Sequence, residues 1–279
     1  MTGLTFEFFP PKSPKGRARL GDAARSLSRY APTYVSVTYG AGGSTADGTL
    51  ETLDRLRTRR NVMTAAHLCY SGVAKEQTNA YAKSLWDAGH RRLVALRGDA
   101  EAAGSEGIDG VSAFVRELRS LRPFDIAVAC YPEVHPMAAS PEDDLDVLLA
   151  KQEAGATHAI SQFFFDAELF LGFVGRARAH GVTIPIVPGI LPIHDIERAI
   201  EFGDKCGSPV PQWVRDKFLH AGRHGRDDRA VSDQLVRTLV HELCAAGVPD
   251  LHIYTLNRAE LSDAAAETFR DFYPIARAA

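Results

Sequence analysis

The chain has 279 residues, is 45% hydrophobic and 24% charged, and carries a formal net charge of −3. That length and composition suit one large globular domain with ample core. The interspersed charges exclude nucleic acid or a membrane surface as a general partner, and no apolar run reaches the ~18 residues that cross a bilayer.

The N-terminus, Met1-Thr2-Gly3-Leu4-Thr5-Phe6-Glu7, runs directly into a strand-like segment, so no signal peptide is expected. Cys69, Cys130, Cys206 and Cys244 are scattered without a Cys-x-x-Cys. Reduced thiols in a cytoplasmic protein are the expectation.

Eight strand-like runs then recur, separated mostly by helical periodicity. The first covers 4–9 and meets Pro10-Pro11-Lys12-Ser13-Pro14, which reads as a loop. A helix over 17–30 leads to a strand at 34–38 and the loop Tyr39-Gly40-Ala41-Gly42-Gly43-Ser44. A helix over 47–59, a strand at 62–67 and a helix over 74–88 follow, the last stopped by Gly89. The fourth strand, 93–96, ends abruptly in Arg97-Gly98-Asp99. A glycine-rich loop precedes a helix reaching Leu121, and a strand at 126–131 opens into Pro132-Glu133-Val134-His135-Pro136. Pro141 and the acids behind it start a helix over 141–153. Strands at 158–162, 185–187 and 252–256 complete the set. Helices are expected up to His180, over 193–203, 212–221 and 230–246, and from Ala259 onward.

Strands alternating with helices imply parallel pairing, and eight units in 279 residues match a single-domain α/β fold of the (β/α)8 type, the TIM barrel. A doubly wound open sheet is weakened because Gly40-Ala41-Gly42-Gly43-Ser44-Thr45 fails the dinucleotide fingerprint at its last position.

In a barrel the C-terminal strand ends share one mouth, where active sites sit. Those ends carry Glu7, Thr38, His67, Arg97 with Asp99, Tyr131 with His135, Gln162, and Tyr254 with Asn257 and Arg258. Glu7 stands inside Phe6-Glu7-Phe8-Phe9. Burial there is expected to raise its pKa and make it a general acid. A structural ion pair with Arg97 or Arg258 is the competing reading. No histidine pair has metal-ligand spacing on a helix, and His67, Glu133 and His135 are too few for a convincing zinc set. Phe163-Phe164-Phe165 reads as core, with stacking on a ligand ring as the alternative.

Seven segments, in order and spanning nearly the whole chain, resemble the methylenetetrahydrofolate reductase family. They are Phe6-Glu7-Phe8-Phe9-Pro10-Pro11, the stretch from Val35 to Ser44, Val94-Ala95-Leu96-Arg97-Gly98-Asp99, Tyr131-Pro132-Glu133-Val134-His135-Pro136, Gln162-Phe163-Phe164-Phe165-Asp166, Pro188-Gly189-Ile190-Leu191-Pro192 and Tyr254-Thr255-Leu256-Asn257-Arg258. The length resembles the bacterial form that has the catalytic domain alone.

The resemblance implies a flavoprotein oxidoreductase of one-carbon metabolism and methionine biosynthesis. Its FAD would take hydride from NADH or NADPH and pass it to 5,10-methylenetetrahydrofolate, in ping-pong fashion, giving 5-methyltetrahydrofolate. By the same resemblance Glu7 and Asp99 are the catalytic residues, as general acid and as the carboxylate beside flavin and folate. Thr38, Tyr39, His67, Arg97, Gly98, Asp99, Tyr131, His135, Asp144 and Lys151 are the FAD contacts. Gln162, Phe202 and Arg258 are the substrate contacts. A homo-oligomer is plausible on the same ground, and no metal is implied.

The chain departs from the family at Ala46-Asp47-Gly48, at Gly110-Val111, where a Tyr is often found, at Ala150, and at Arg198, where Gln is frequent. A folate-binding barrel without flavin chemistry, a flavin-free direct hydride transfer and a metal-dependent barrel lyase or hydrolase remain the competing expectations.

Overall fold

Apolar runs of four to six residues form the strands, and the helices between them cover the sheet's outer face. The computed structural model describes residues 3–39, 46–70, 74–98, 110–193, 195–223 and 227–275. In order these are β1 (Gly3–Phe8), α1 (Pro14–Leu27), β2 (Tyr34–Val37), α2 (Ala46–Arg60), β3 (Thr64–Cys69), α3 (Lys75–Asp87), β4 (Arg92–Leu96), α4 (Gly110–Leu121) and β5 (Asp125–Cys130). There follow α5 (Pro141–Glu153), β6 (His158–Phe163), α6 (Ala167–Ala179), β7 (Ile186–Ile190), α7 (Ile196–Cys206), α8 (Gln212–Arg223), α9 (Asp228–Ala245), β8 (Asp250–Tyr254) and α10 (Ala259–Phe272). The strands pair in parallel in sequence order, and β8 closes on β1. This is the expected (β/α)8 barrel.

Period-two alternation sorts each strand's side chains. In β1, Leu4, Phe6 and Phe8 are almost fully buried in the layer under the helices, each contributing roughly 1.5–3 kcal/mol by leaving water. Thr5 and Glu7 alternate with them and face the barrel interior. Lower in the interior, Tyr34, Ala65, Val94, Ala127 and Ile160 form a small plug, one residue from each of β2 to β6. The active-site groups therefore stand on a filled floor.

Most boundaries fall within three residues of expectation, β3 at Thr64–Cys69 and β8 at Asp250–Tyr254 among the displaced ones, and two displacements have a visible local cause. Helix α1 begins at Pro14, inside the expected proline loop, because Ser13 caps it by accepting from the Gly16 N–H at 3.1 Å. Proline suits a first turn, where its missing donor has no partner to lose. Strand β7 runs on through Pro188 and Gly189 instead of ending at Val187. The β6–β7 register shifts between Ile160 and Phe163, so Pro188 falls where the ladder is already interrupted.

Of the three helices between β7 and β8, α8 and α9 are additional to the usual one, and α9 packs against α10, α6 and α8. Among the described residues no helix is long and apolar enough to cross a membrane. All four cysteines are free thiols.

Candidate active site

Glu7 at the end of β1 is the centre of one half of the mouth. Its Oε2 lies 3.3 Å from His67 Nε2, delivered by β3, and 3.4 Å from His252 Nε2, delivered by β8. The Glu7 side chain keeps 18% exposure, while the two imidazoles are 8% and 0% exposed. Behind them the Thr5 hydroxyl sits 2.8 Å from His252 Nδ1 and donates to the Leu251 carbonyl at 3.2 Å.

These neighbours overturn the expected direction of the Glu7 pKa. Burial is the largest single influence and raises it, but the charge and close approach of His67 and the hydrogen bond with His252 together outweigh burial and hold it at about 2. Glu7 is thus a carboxylate in this state, and its partners are imidazoles rather than the guanidiniums considered from sequence.

The other half of the mouth is a cleft lined by Arg97, Tyr131, His135, Asp144 and Lys151, with Leu96 and Val111. The α5 N-terminus builds it. Ser140 caps the helix on the Asp143 N–H, and Asp144 and Lys151, seven residues apart, share one face and are both buried. Lys151 Nζ donates to the Ala129 carbonyl at 2.9 Å, and burial lowers its pKa. Burial raises that of Asp144, whose carboxylate accepts from the His135 N–H at 3.1 Å.

His135 is pushed down to about 4 by burial and by the cations Lys151 and Arg97. Its Nδ1 accepts from the Met137 N–H at 3.0 Å, so the neutral ring presents Nε2–H as a donor. The ring stands edge-on to Tyr131 at 4.5 Å. Val134 just before it adopts φ 75°, a strain of about 1–3 kcal/mol for a β-branched residue. Gly98 turns the chain after Arg97 with φ 94°, which suits glycine. The Arg97 guanidinium lies against the Met137 sulfur, a weak acceptor, at 2.6 Å. At the rim, Thr38 Oγ1 is buried without a hydrogen-bond partner, and Tyr39 leans on Tyr81 with ring centroids 5.7 Å apart.

The rim at β6, β7 and β8 carries the residues expected to contact substrate. Gln162 sits at the β6 register shift, its Oε1 accepting from the Phe163 N–H at 3.1 Å. Two side chains replace the missing ladder bonds there. Ser161 Oγ accepts from the Gly189 N–H at 2.9 Å, and Tyr254 OH donates to the Ser161 carbonyl at 2.8 Å. Gly189 is required: a Cβ there would meet the Ser161 carbonyl and lie 2.7 Å from the Tyr254 ring.

Phe202, 49% exposed, stacks on Phe163 at 5.5 Å. Phe163 and Phe164 are core, as expected, with Phe163 also backing Phe202. Arg258 starts α10 at its N-cap. Asn257 is a clamp, not a free mouth group. Its amide accepts from Phe9 N–H at 3.0 Å and donates to Phe9 C=O at 2.8 Å.

Asp99 and the loop 40–45 lie outside the described residues. His67 pairs with Glu7 and not with Glu133 or His135, and no group of three or more potential metal ligands assembles among the described residues. Burial lifts Glu133 to about 7. Two departures from the family have a visible consequence. A Cβ at Gly110 would stand 2.8 Å from the Tyr70 ring, so Tyr70 occupies that space. Arg198 turns outward, 84% exposed, and pairs with Asp195 at 3.4 Å. Thr5, His252, Ser161 and Tyr70 were not singled out from sequence. The alternation of Thr5 with Glu7 and of His252 with Tyr254 was the available signal.

Fold and mouth together define a parallel-barrel enzyme with an acid–base cluster on one side and a cationic cleft on the other. The family profile described as "Methylenetetrahydrofolate reductase" matches residues 1–269. Proteins named 5,10-methylenetetrahydrofolate reductase from Escherichia coli (strain K12) and Pectobacterium carotovorum subsp. carotovorum are each 38% identical to this chain over 265 residues. Those alignments cover 95% of this chain and 90% and 89% of the relatives. Methylenetetrahydrofolate reductase (NADH) 1 of Arabidopsis thaliana is 33% identical over 92% of this chain and 46% of its own length. An uncharacterized Clostridium thermocellum protein, described as binding two copies of 5-methyl-5,6,7,8-tetrahydrofolic acid, shares the fold, with a TM-score of 0.68 at 14% identity over 98% of this chain and 95% of that one. The chain belongs to the methylenetetrahydrofolate reductase family.

Proposed function

We propose that this protein reduces 5,10-methylenetetrahydrofolate to 5-methyltetrahydrofolate with NAD(P)H, using FAD bound at the barrel mouth. The observation that carries the reading is the pairing of an imidazole-flanked carboxylate, Glu7, with a separate cationic cleft in one mouth.

The residues present fit FAD. A dinucleotide needs cations for its diphosphate, and Arg97 and Lys151 line the cleft with the His135 Nε2–H. Asp144 is a buried acceptor suited to a ribose hydroxyl, and the unpartnered Thr38 Oγ1 suits the polar edge of a ring system. Tyr39, His67, Gly98 and Tyr131 complete the contacts. Bound there, FAD supplies a two-electron hydride store between nicotinamide and folate.

The chain's own groups handle binding and protons. Glu7 gives a proton to the amine nitrogen that leaves when the imidazolidine ring opens to a cationic iminium. Asp99 supplies a negative charge near that cation. Gln162 and Arg258 bind the folate, and Phe202 stacks on the planar ring of whichever substrate is present. The Arabidopsis relative is named for NADH, which makes NADH the first donor to try.

The test is an absorbance spectrum of the purified protein under anaerobic conditions. The expected flavin spectrum bleaches with NADH and returns on adding 5,10-methylenetetrahydrofolate. A colourless protein that takes up no added FAD would overturn the flavin reading.

A further inference from the structure

We infer that Thr5 and His252 hold the proton that Glu7 delivers, forming one hydrogen-bonded line from the barrel floor to the mouth. The inference rests on the proposed general-acid role of Glu7 and says where that acid gets its proton.

Thr5 and His252 are direct cross-strand partners on β1 and β8, and both are buried inside the barrel. The Thr5 hydroxyl has a single hydrogen and two neighbours, the Leu251 carbonyl at 3.2 Å and His252 Nδ1 at 2.8 Å. In this assignment the hydroxyl hydrogen goes to the Leu251 carbonyl, which only accepts, and Oγ1 accepts from His252 Nδ1–H. The assignment sets the tautomer of the ring. With Nδ1 protonated, His252 Nε2 faces Glu7 Oε2 at 3.4 Å. Two lone pairs do not face each other in a buried site, so one proton lies between these atoms.

The proton has two places. On Nε2 it makes an imidazolium–carboxylate pair, the state consistent with the depressed pKa of Glu7. On Oε2 it makes a neutral acid beside a neutral imidazole. A substrate ring covering Glu7 removes water and disfavours the charged pair, because desolvation penalises both ions. Substrate binding therefore moves the proton onto the oxygen that uses it. The Oε2–H bond then breaks as the substrate's amine nitrogen takes the proton and the electron pair of its breaking C–N bond. Glu7 is left a carboxylate and His252 neutral, and solvent reloads the pair.

His67 does not serve this way. Its Nε2 is 3.3 Å from the same oxygen but has no aligned hydrogen bond. Among the described residues the other titratable groups that face His252 are His158 from β6 and Tyr254 on β8, with Tyr34 from β2 bonded to His158. Burial keeps both phenols protonated. His158 is lowered by burial, and its Nε2 is 3.0 Å from the Tyr34 hydroxyl.

Thr5 is accordingly a positioning residue. The test compares wild type, Thr5→Val, Thr5→Ser and His252→Gln as holoenzymes. The first readout is nitrogen NMR of the histidine rings without substrate. Wild type should show a ring with both nitrogens protonated, missing in His252→Gln. In Thr5→Val that ring should lose its second proton more readily than in wild type, because the oxygen that accepts from Nδ1–H is gone. Thr5→Ser, which keeps the hydroxyl, should restore it and guards against a merely misfolded Val variant. The second readout is the pH profile of the folate half-reaction. Its high-pH limb should move with the NMR transition, while cofactor reduction by NADH stays unchanged. A bare Nδ1 in the wild type, or a Thr5→Val transition identical to wild type, would overturn the inference. A shifted NMR transition with unmoved folate kinetics would overturn the delivery step and the general-acid reading of Glu7, leaving only the proton pair.

Discussion

The two sides of the mouth treat charge in opposite ways. Around Glu7 a buried carboxylate is kept ionised by imidazoles from β3 and β8. Around Lys151 a histidine is kept neutral by cations, and the buried carboxylate of Asp144 is pushed up. Burial is the largest influence at Glu7, His135, Asp144 and Lys151 alike. Its outcome is decided by which partners the strands bring within hydrogen-bond reach. The Glu7 side holds an ionised carboxylate between two imidazoles. The Lys151 side has fixed donors and suits an anion that stays put.

Substitutions that touch one side and spare the other test this division. The largest effect belongs to Glu7→Gln, which should lower steady-state turnover by roughly 100-fold or more, the scale of lost general-acid catalysis. The FAD dissociation constant, read by fluorescence titration, should stay within about twofold, because amide and carboxylate occupy the same volume. Lys151→Met should do the reverse. It should weaken FAD binding roughly 10–100-fold, the loss of one charge-assisted bond, and leave the folate rate of the reloaded enzyme near wild type.

Acidification sharpens the same contrast. The Glu7 pKa is lowered from an ordinary 4.5 to about 2. Its contribution, on the order of 3 kcal/mol, is present above about pH 4.5 and lost as pH falls towards 2. Urea unfolding at two pH values on either side of this window should show a smaller acid loss in Glu7→Gln than in wild type. Gly189→Ala should cost about 1–3 kcal/mol and raise the folate KM, since its new methyl displaces the Tyr254 ring that holds the Gln162 bulge. Arg198→Ala, outward on α7, should change stability by less than about 0.5 kcal/mol.

All eight strands were legible as apolar runs between helical patterns, with ends displaced by no more than three residues. Those shifts have local causes, such as the Ser13 cap and the β6–β7 irregularity. Which strand ends carry polar groups was also legible, and it put Glu7, His67 and Arg97 at the mouth, whereas Lys151, on α5, came only with the family resemblance.

What sequence did not carry was cross-strand proximity. Nothing near Glu7 in the chain announces that imidazoles 60 and 245 residues away will face it, so its pKa was expected in the wrong direction. His252 opened an expected strand rather than ending one, which hid it. Gly110 read as a missing tyrosine, yet Tyr70 from the end of β3 fills the space.

The most direct measurement is the pair of anaerobic half-reactions of FAD-loaded Glu7→Gln, followed by stopped-flow absorbance. The division of the mouth predicts that NADH bleaches the flavin at close to the wild-type rate and that 5,10-methylenetetrahydrofolate then fails to restore the colour. Equal loss of both half-reactions, or full restoration by folate, would contradict it.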